Sequence, residues 1–216
     1  MNNSTLLNAF GGLNPYYLNR IQYVLNAALS EYPRTLVIRF DLHLPVQIDT
    51  DLLSERDMGL RVARTDHRVI TRFIDALKAR IKADLARRAR DGKRVHSTSL
   101  RYVRVTEQGK ADQQHFHIGI LLNADSYYFG HSSYQSDLGL AGMIREAWAS
   151  ALGLNINKCR SLLHFPNNCF YNINRNAVGG VYTEQYYAAL YRLGYLAKFD
   201  TKVSILGWRN FSCSHG

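Results

Sequence analysis

Two histidines one residue apart lie in an apolar segment, HFHIGILLN, at residues 115–123. Residues two apart on a β-strand project from the same face, so His115 and His117 can bind one divalent ion while Phe116 points into the core. Glu107 ends the preceding strand-like segment and is expected across a hairpin from the histidines. An ion bound by two imidazoles and one carboxylate keeps coordination positions open for water and a phosphate oxygen. This mixed set of ligands suits Mg²⁺, Mn²⁺ or a harder transition ion. The alternative is an incidental pair of surface histidines beside a surface acid.

Three tyrosines and a lysine near the C-terminus follow helical spacing. Tyr187, Tyr191 and Tyr195 are four residues apart and Lys198 follows three residues later, so they lie roughly along one helix face. On an arbitrary helix such a stripe most often packs against a core. Beside a metal site it gains a chemical meaning, because a tyrosine oxygen can attack a metal-polarised phosphodiester and form a phosphotyrosine. Lys198 could then stabilise charge on the phosphate or position the metal site.

The composition favours a soluble protein with a polyanionic partner. The 216 residues include 27 Lys and Arg against 17 Asp and Glu, a formal charge of +10 that favours phosphate contacts. We expect a cytoplasmic protein without a membrane span or fused helicase, because the sequence has no run of about 18 apolar residues, no secretory leader and no Walker-type loop. Three cysteines without a Cys-x-x-Cys pair are typical of free thiols and support a zinc site only weakly: Cys159, Cys169 and Cys213.

Alternating and apolar segments predict the strands that position these residues. TLVIRFDLHLP, residues 35–45, alternates apolar and polar positions and indicates a half-buried strand. Residues 99–107 and 115–123, joined by a polar turn, predict an antiparallel hairpin. Two stretches complete this part of the prediction, CRSLLHF (159–165) as a further strand and the asparagine-rich residues 167–176 as a loop.

Amphipathic segments predict helices beside these strands. Asn14-Pro15 is typical of a helix start, an asparagine cap followed by proline, and Pro33 ends that helix. A long helix, capped by Thr65 or Asp66 and running to about residue 90, has a buried stripe and a basic outer face that is either solvated or in contact with DNA. Further helices are predicted over residues 138–152 and from Thr183.

These elements predict an α+β fold with a central antiparallel sheet flanked by helices. The sequence has no internal repeat and no low-complexity linker. We therefore predict a single domain over residues 1–216, with an N-terminal helical extension at about residues 1–33.

Short motifs in this sequence resemble a known superfamily. HFHIGILLN resembles the His-hydrophobic-His motif of HUH endonucleases, and YRLGYLAK, residues 191–198, resembles their Tyr-x-x-Lys motif preceded by a second tyrosine. LVIRFDLHLP occupies the place of the first, mostly apolar motif of replication initiators. The pattern is similar to inoviral replication initiators and to their prophage relatives of the YagK/YfjJ C-terminal domain type, over residues 35–216. The ending GWRNFSCSHG resembles the Arg-x-Phe-x-x-Ser endings of such initiators, with His215 where an arginine is usual.

The resemblance implies an HUH/Rep fold of ferredoxin-like topology and a role for each motif residue. His115, His117 and Glu107 match the ligands of Mg²⁺ or Mn²⁺, Tyr195 the nucleophile, and Lys198 the motif lysine. Tyr191 matches the partner tyrosine of two-tyrosine members, although Gly194 is expected to loosen the helix between them. The implied function is a single-strand DNA nickase and strand transferase that initiates rolling-circle replication of a phage or mobile element through a 5′-phosphotyrosine. Its implied partners in a bacterial host cell are single-stranded or locally melted origin DNA, with host helicase and polymerase.

Two other functions stay open from the sequence. A non-catalytic DNA-binding regulator on the same fold would bind DNA without metal-dependent cleavage. An unrelated metalloenzyme would hydrolyse small phosphoesters and have no DNA affinity. The aromatic loop residues Tyr127, Tyr128, Phe129 and Tyr134 either stack on bases or pack in the protein, and Arg39 and His43 share one strand face whose orientation the sequence does not determine.

Overall fold

The computed structural model describes residues 12–45, 63–108, 114–130, 138–199 and 210–215. In chain order, its helices and strands are α1 (Pro15–Glu31), β1 (Arg34–His43), α2 (Val69–Arg90), β2 (Arg101–Gln108), β3 (Gln114–Asn123), α3 (Gly139–Leu152), β4 (Leu163–His164), β5 (Phe170–Asn174), α4 (Val181–Gly194) and β6 (Phe211–Cys213). Short 3₁₀ helices cover Ile156–Leu162 and Tyr195–Ala197. The predicted α+β class, a central antiparallel sheet flanked by helices, is confirmed. Tyr134 and most of the predicted turn or loop between β2 and β3, residues 109–113, lie outside the described residues.

The chain forms two compact units. The first contains the described parts of residues 1–41, 96–129 and 165–216, and the second those of residues 42–95 and 130–164. The three predicted metal ligands and the predicted tyrosine nucleophile all belong to the first unit.

The sheet of the first unit has the strand order β5–β1–β3–β2–β6. The predicted hairpin is present, since β2 and β3 pair antiparallel with Glu107 opposite His115 and Val105 opposite His117. β6 pairs antiparallel with the other edge of β2, and β5 pairs antiparallel with the first half of β1. Glu107, His115 and His117 therefore lie on one sheet face, at the end of the hairpin where β2 ends and β3 begins.

Two helices cover that same face. α1 begins as predicted, because the side-chain oxygen of Asn14 accepts hydrogen bonds from the backbone N–H groups of Tyr16 and Tyr17, and Pro15 occupies the first helical position. α1 and α4 pack with the sheet into one apolar core, which includes Leu25 from α1, Leu193 from α4, and these strand residues: Val37, Val103, Val105, Leu121 and Ile173. Burial of this face fixes the register of the hairpin, since a one-residue slip would turn the apolar side chains to the opposite face.

Three strand predictions were wrong in detail. β1 is buried from Thr35 to Leu42 on both faces rather than half-buried. The asparagine-rich stretch predicted as a loop contains β5, which forms because the edge of β1 offers unpaired backbone groups that outweigh the low strand propensity of asparagine. Most of CRSLLHF lies in a 3₁₀ helix, and only Leu163–His164 is a strand.

The second unit contains α2 and α3. α2 buries Val69, Phe73, Leu77 and Ile81 as predicted, whereas Leu85 in the predicted stripe is only half-buried. Phe73 meets Trp148 of α3 edge-on, with ring centres 5.9 Å apart. The two-residue strand β4 and the last two residues of β1 also belong to this unit.

Much of the basic face of α2 is paired with acids. Arg72 binds Asp66, Arg80 binds Glu146, and Asp84 binds both Arg87 and Arg88. Asp66 also accepts a hydrogen bond from the backbone N–H of Arg68. The predicted cap at Thr65 or Asp66 is nevertheless wrong, because α2 begins at Val69 and Arg68 occupies the N-cap position without a side-chain cap. The charge that this face can offer to a polyanion is correspondingly reduced. In the described ranges, no helix has both the length and the apolar character that crossing a bilayer requires.

Candidate metal centre

The predicted ligand residues converge on one point in the first unit. One ligand atom from each of Glu107, His115 and His117 lies within 4.8 Å of the others. Nε2 of His117 is 2.8 Å from Oε2 of Glu107, and Nε2 of His115 is 3.6 Å from that same oxygen. The two imidazole rings meet edge-on with centres 4.9 Å apart. The hairpin register produces this arrangement, because it places the carboxylate directly across from one histidine and diagonal to the other.

Asp41 holds the other ring nitrogen of His117. Its Oδ1 contacts Nδ1 of His117, and its Oδ2 is 2.8 Å from Nη1 of Arg39. Nη2 of Arg39 is 2.9 Å from the same Nδ1. A guanidinium can only donate and a carboxylate can only accept, and Nδ1 cannot do both at once. We place the proton on Nδ1 because of its contact with the Asp41 carboxylate. Nδ1–H donates to Asp41, and Nε2 is left to face Glu107.

Burial and charge decide the protonation of His117 in the absence of an ion. Burial lowers the pKa of this imidazole, but hydrogen bonds to Asp41 and Glu107 and the charges of both carboxylates outweigh it and raise the pKa above its usual value. Burial lowers the pKa of Arg39, partly opposed by Asp41, and the charge of Arg192 lowers it further. The raised pKa shows that the two carboxylates, Asp41 and Glu107, favour positive charge at this ring.

The donor set fits a divalent ion. Glu107 and His117 are buried, while the side chain of His115 keeps 19% of its surface exposed, so the group has an open side. A carboxylate oxygen and two Nε2 atoms form a mixed set with vacant coordination positions, which suits Mg²⁺, Mn²⁺ or another borderline ion better than a closed structural zinc site. A carboxylate on the distal nitrogen of a ligating histidine is the usual way in which proteins orient such a ligand.

Tyr195 lies beside this group. Its ring centre is 5.8 Å from that of His117 and 5.8 Å from the guanidinium carbon of Arg39. α4 ends at Gly194, and Tyr195 begins the short 3₁₀ helix that follows. The backbone of this turn is fixed to the start of α1, because the carbonyl of Ala197 accepts a hydrogen bond of 2.7 Å from the N–H of Asn14.

A glycine in β3 lets α4 approach the sheet. A Cβ atom on Gly119 would lie 2.4 Å from Cδ2 of Leu193, well inside any normal contact. Gly119 is on the same strand face as His117, two residues further along. The small residue therefore permits the close packing that brings the C-terminal end of α4 to the metal ligands.

For Tyr191 and Lys198, the two other predicted catalytic residues, the structure gives positions on the chain near Tyr195. Tyr191 lies on α4, one helical turn before Tyr195, with 40% of its surface exposed. The backbone of Lys198 donates to the carbonyl of Tyr195 and forms a bridge with Leu13. Gly194 ends the α-helix as expected, so the predicted helix through Lys198 is α-helical only to that point. The chemical roles of Tyr191 and Lys198 stay predictions.

Asp41 and Arg39 are the site residues that sequence reasoning did not assign. A signal was present, since the alternation of β1 puts both on one face, and a buried acid and base two apart on a strand can pair. The contact with His117 depends on β1 lying next to β3, which alternation does not predict. Arg192 was also missed. Its Nη2 binds the carbonyl of Asn167 at 2.9 Å, and its buried Nε makes no hydrogen bond within the described residues.

Comparison with known proteins identifies relatives along nearly the whole chain. The chain is 35% identical over 198 residues to the uncharacterized protein YagK of Escherichia coli strain K12, which covers 92% of this chain and 91% of YagK. It is 34% identical over 209 residues to the uncharacterized protein YfjJ of the same strain, covering 96% and 97%. No solved structure matches the chain significantly. The family model of the YagK/YfjJ C-terminal domain matches residues 1–214, and the chain therefore belongs to the YagK/YfjJ C-terminal domain family.

Proposed function

We propose that this protein is a metal-dependent, single-strand DNA endonuclease and strand transferase of the HUH type. One observation carries the proposal: the Tyr195 ring lies beside His117, a member of a three-residue group able to hold a divalent ion. A nucleophile, a metal site and a basic chain are the parts that phosphodiester transfer requires. The proposed biological role is initiation of rolling-circle replication of a phage or mobile element.

Positive charge near the tyrosine supports a phosphodiester substrate. Arg39 lies beside the Tyr195 ring, and Arg192 lies close enough to lower the pKa of Arg39 by charge repulsion. Asp41 already pairs with Arg39, so the additional positive charge that a bound phosphate would require here comes from Arg192. The formal charge of +10 favours a polyanion over a small phosphoester, because the excess charge serves contacts along a whole strand.

The proposed reaction is an in-line displacement at phosphorus. The Tyr195 oxygen forms a bond to the phosphorus and releases its proton to solvent, while the bond from phosphorus to the 3′ oxygen breaks and that oxygen takes up a proton. The products are a 5′-phosphotyrosine and a free 3′-hydroxyl that can prime synthesis. A divalent ion bound by Glu107, His115 and His117 would supply charge stabilisation at the phosphate. Attack by a 3′-hydroxyl on the phosphotyrosine reverses the step and joins two strands.

The test is covalent capture of DNA. The protein is incubated with a randomised single-stranded oligonucleotide pool and Mn²⁺ or Mg²⁺, and a DNA-bound species is sought on denaturing gels. We expect an adduct that is lost with EDTA, with His117→Ala and with Tyr195→Phe. Tyr182→Phe is the matched control, because Tyr182 lies on the same helix but packs against the core of the first unit.

Two results would contradict the proposal. One is the absence of an adduct with either metal, accompanied by retained DNA binding, which favours a DNA-binding regulator. The other is an adduct that persists when Tyr191 and Tyr195 are both replaced by phenylalanine. Hydrolysis of a small phosphodiester without DNA affinity would instead indicate an unrelated metalloenzyme.

A further inference from the structure

A polar and aromatic pocket lies in the first unit, at the end of the sheet away from the metal centre. Its volume is about 440 Å³, within the range of small-molecule sites. The residues in its lining that bear on its chemistry are Arg34, Tyr127, Tyr128, Asn172, Asn174 and Gln185. Arg34, in the pocket lining, and Asp41, which contacts His117, lie seven positions apart on β1, so the pocket is roughly 23 Å along the strand from the metal ligands.

The pocket has one exposed aromatic surface. Tyr128 is 82% exposed, whereas its neighbours Tyr127 and Phe129 are buried. Phe129 packs against the rings of Phe165 and Phe170, with ring centres 5.6 and 5.9 Å away. The neighbours anchor the loop and Tyr128 projects from it, which is the arrangement of a stacking surface for a planar ligand.

Side-chain amides supply hydrogen bonds beside this ring. Oε1 of Gln185 accepts from the backbone N–H of Asn174 at 2.8 Å, and Oδ1 of Asn174 accepts from that of Asn176 at 3.1 Å. These bonds use the oxygens, and within the part of the chain that the structure describes the NH₂ groups of both amides can still act as donors. Asn172 is exposed on the same face of β5 as Asn174, two residues away. Amides with free donors and acceptors are the groups that read the edges of nucleobases.

The charge of the pocket suits a base within a strand better than a free nucleotide with several phosphates. Among the described residues that line it, the one cation is Arg34, which is 2.8 Å from a carboxylate oxygen of Asp125, and the two side chains are 61% and 32% exposed. A partly neutralised arginine can contact a single diester phosphate. A triphosphate would require several unpaired cations or a nest of backbone amides.

We propose that this pocket holds one unstacked nucleobase of the single strand on which Tyr195 acts. The proposal rests on the proposed function for the identity of the strand, and it adds a contact that selects sequence at a distance from the cleaved bond. Tyr128 stacks on the base, and Asn172, Asn174 and Gln185 bind its edge.

The experiment measures affinity without cleavage. Fluorescence anisotropy is measured in EDTA with labelled dA, dC, dG and dT homopolymers. Their length of about 15 nucleotides lies within the range of single-strand binding sites of known modules. The wild-type protein is expected to prefer one homopolymer. Tyr128→Ala is expected to weaken its binding roughly 5- to 150-fold, the equivalent of one lost base stack. Asn172→Ala is expected to reduce the preference among homopolymers more than the mean affinity.

The controls separate this pocket from general strand binding. Tyr16→Ala removes a tyrosine of 66% exposure on α1 and is expected to leave every affinity unchanged. Equal affinities of Tyr128→Ala and Tyr16→Ala for all four homopolymers would overturn the proposal. It would also be overturned if Tyr128→Ala lost binding of deoxynucleoside monophosphates but kept its strand affinity, since the pocket would then serve a free nucleotide. Strand binding in EDTA is measured independently of cleavage. Absence of a covalent adduct in the separate capture assay with Mn²⁺ or Mg²⁺, together with Tyr128-dependent strand binding in EDTA, would therefore refute the nickase and leave the pocket supported.

Discussion

Replacing Asp41 by asparagine is expected to weaken divalent metal binding roughly 10- to 100-fold, the usual effect of losing a carboxylate behind a ligating histidine. Asp41 accepts the Nδ1 proton of His117 and so leaves Nε2 available to the metal. An asparagine can present its NH₂ group to Nδ1, which would move the ring proton to Nε2. A proton on Nε2 must then be displaced before the metal can bind.

The loss can be read as a change in stability. A 10- to 100-fold weaker affinity corresponds to about 1.4–2.7 kcal/mol. At a metal concentration of 100 Kd, the wild-type protein gains about 2.7 kcal/mol against unfolding. The same concentration is only ten times or equal to the Kd of the variant, so its gain falls to about 1.4 or 0.4 kcal/mol.

Calorimetric titration with Mn²⁺ and urea unfolding with and without Mn²⁺ measure both quantities. Asp125→Asn is the matched control, because Asp125 also pairs with an arginine, Arg34, but does so beside the pocket that contains Tyr128, which we call the distal pocket. Its Mn²⁺ affinity should equal that of the wild-type protein.

Asp41→Asn also removes the ion pair of Arg39, whose side chain is only 6% exposed. Breaking a buried pair typically costs about 3–5 kcal/mol, so this variant is expected to be less stable. The double variant Arg39→Met, Asp41→Asn removes both charges, which should restore much of the stability while metal binding stays weak. Wild-type Mn²⁺ affinity in either folded variant would refute the reasoning.

Three further changes test the packing, the electrostatics and the thiol chemistry. Gly119→Ala places a methyl group against Leu193 and should destabilise the fold by about 1–3 kcal/mol, so an unchanged urea midpoint would contradict the close approach of α4. Hydrogen bonds from Arg72 and the backbone of Arg68 lower the pKa of Asp66 from 3.8 to about 2, so its stabilisation is full above pH 3.8 and is lost as the pH falls through about 2. Asp66→Asn should remove this part of the acid transition, and identical pH dependence of urea unfolding in both proteins would argue against it. Burial raises the pKa of the Cys159 thiol to about 11, so alkylation at pH 8 should be far slower in the native than in the unfolded protein, and equal rates by mass spectrometry would contradict its burial.

The hairpin and its ligands could be predicted from the sequence because the information is local. Alternation fixes which side chains share a face, and the short connection between 99–107 and 115–123 makes antiparallel pairing of neighbours the simplest arrangement. Glu107 is found opposite His115 for that reason. Asp41 could not be assigned in the same way, since it meets His117 across 76 residues of sequence and only the strand order brings them together.

β5 shows a different limit. Its sequence, FYNIN, lies in a stretch whose asparagines are typical of turns, and the structure nevertheless pairs it with the first half of β1. The pairing depends on the backbone of a partner strand rather than on the side chains of β5. The same limit applies to the distal pocket, because its lining joins β1, β5, α4 and the turn after β3.

The two tyrosines are expected to differ in reactivity because of where α4 ends. Tyr195 is beside the His117 ring, whereas Tyr191 lies four residues earlier, about 6 Å further along the helix axis. Displacement of a reacting group by about 1 Å can cost roughly 100-fold in rate, so Tyr191 should form the first adduct at least that much more slowly. Rates of adduct formation in Tyr191→Phe and Tyr195→Phe would measure the difference. Equal rates would mean that α4 shifts along its axis during the reaction and that either tyrosine can reach the phosphate, as alternating strand exchange requires.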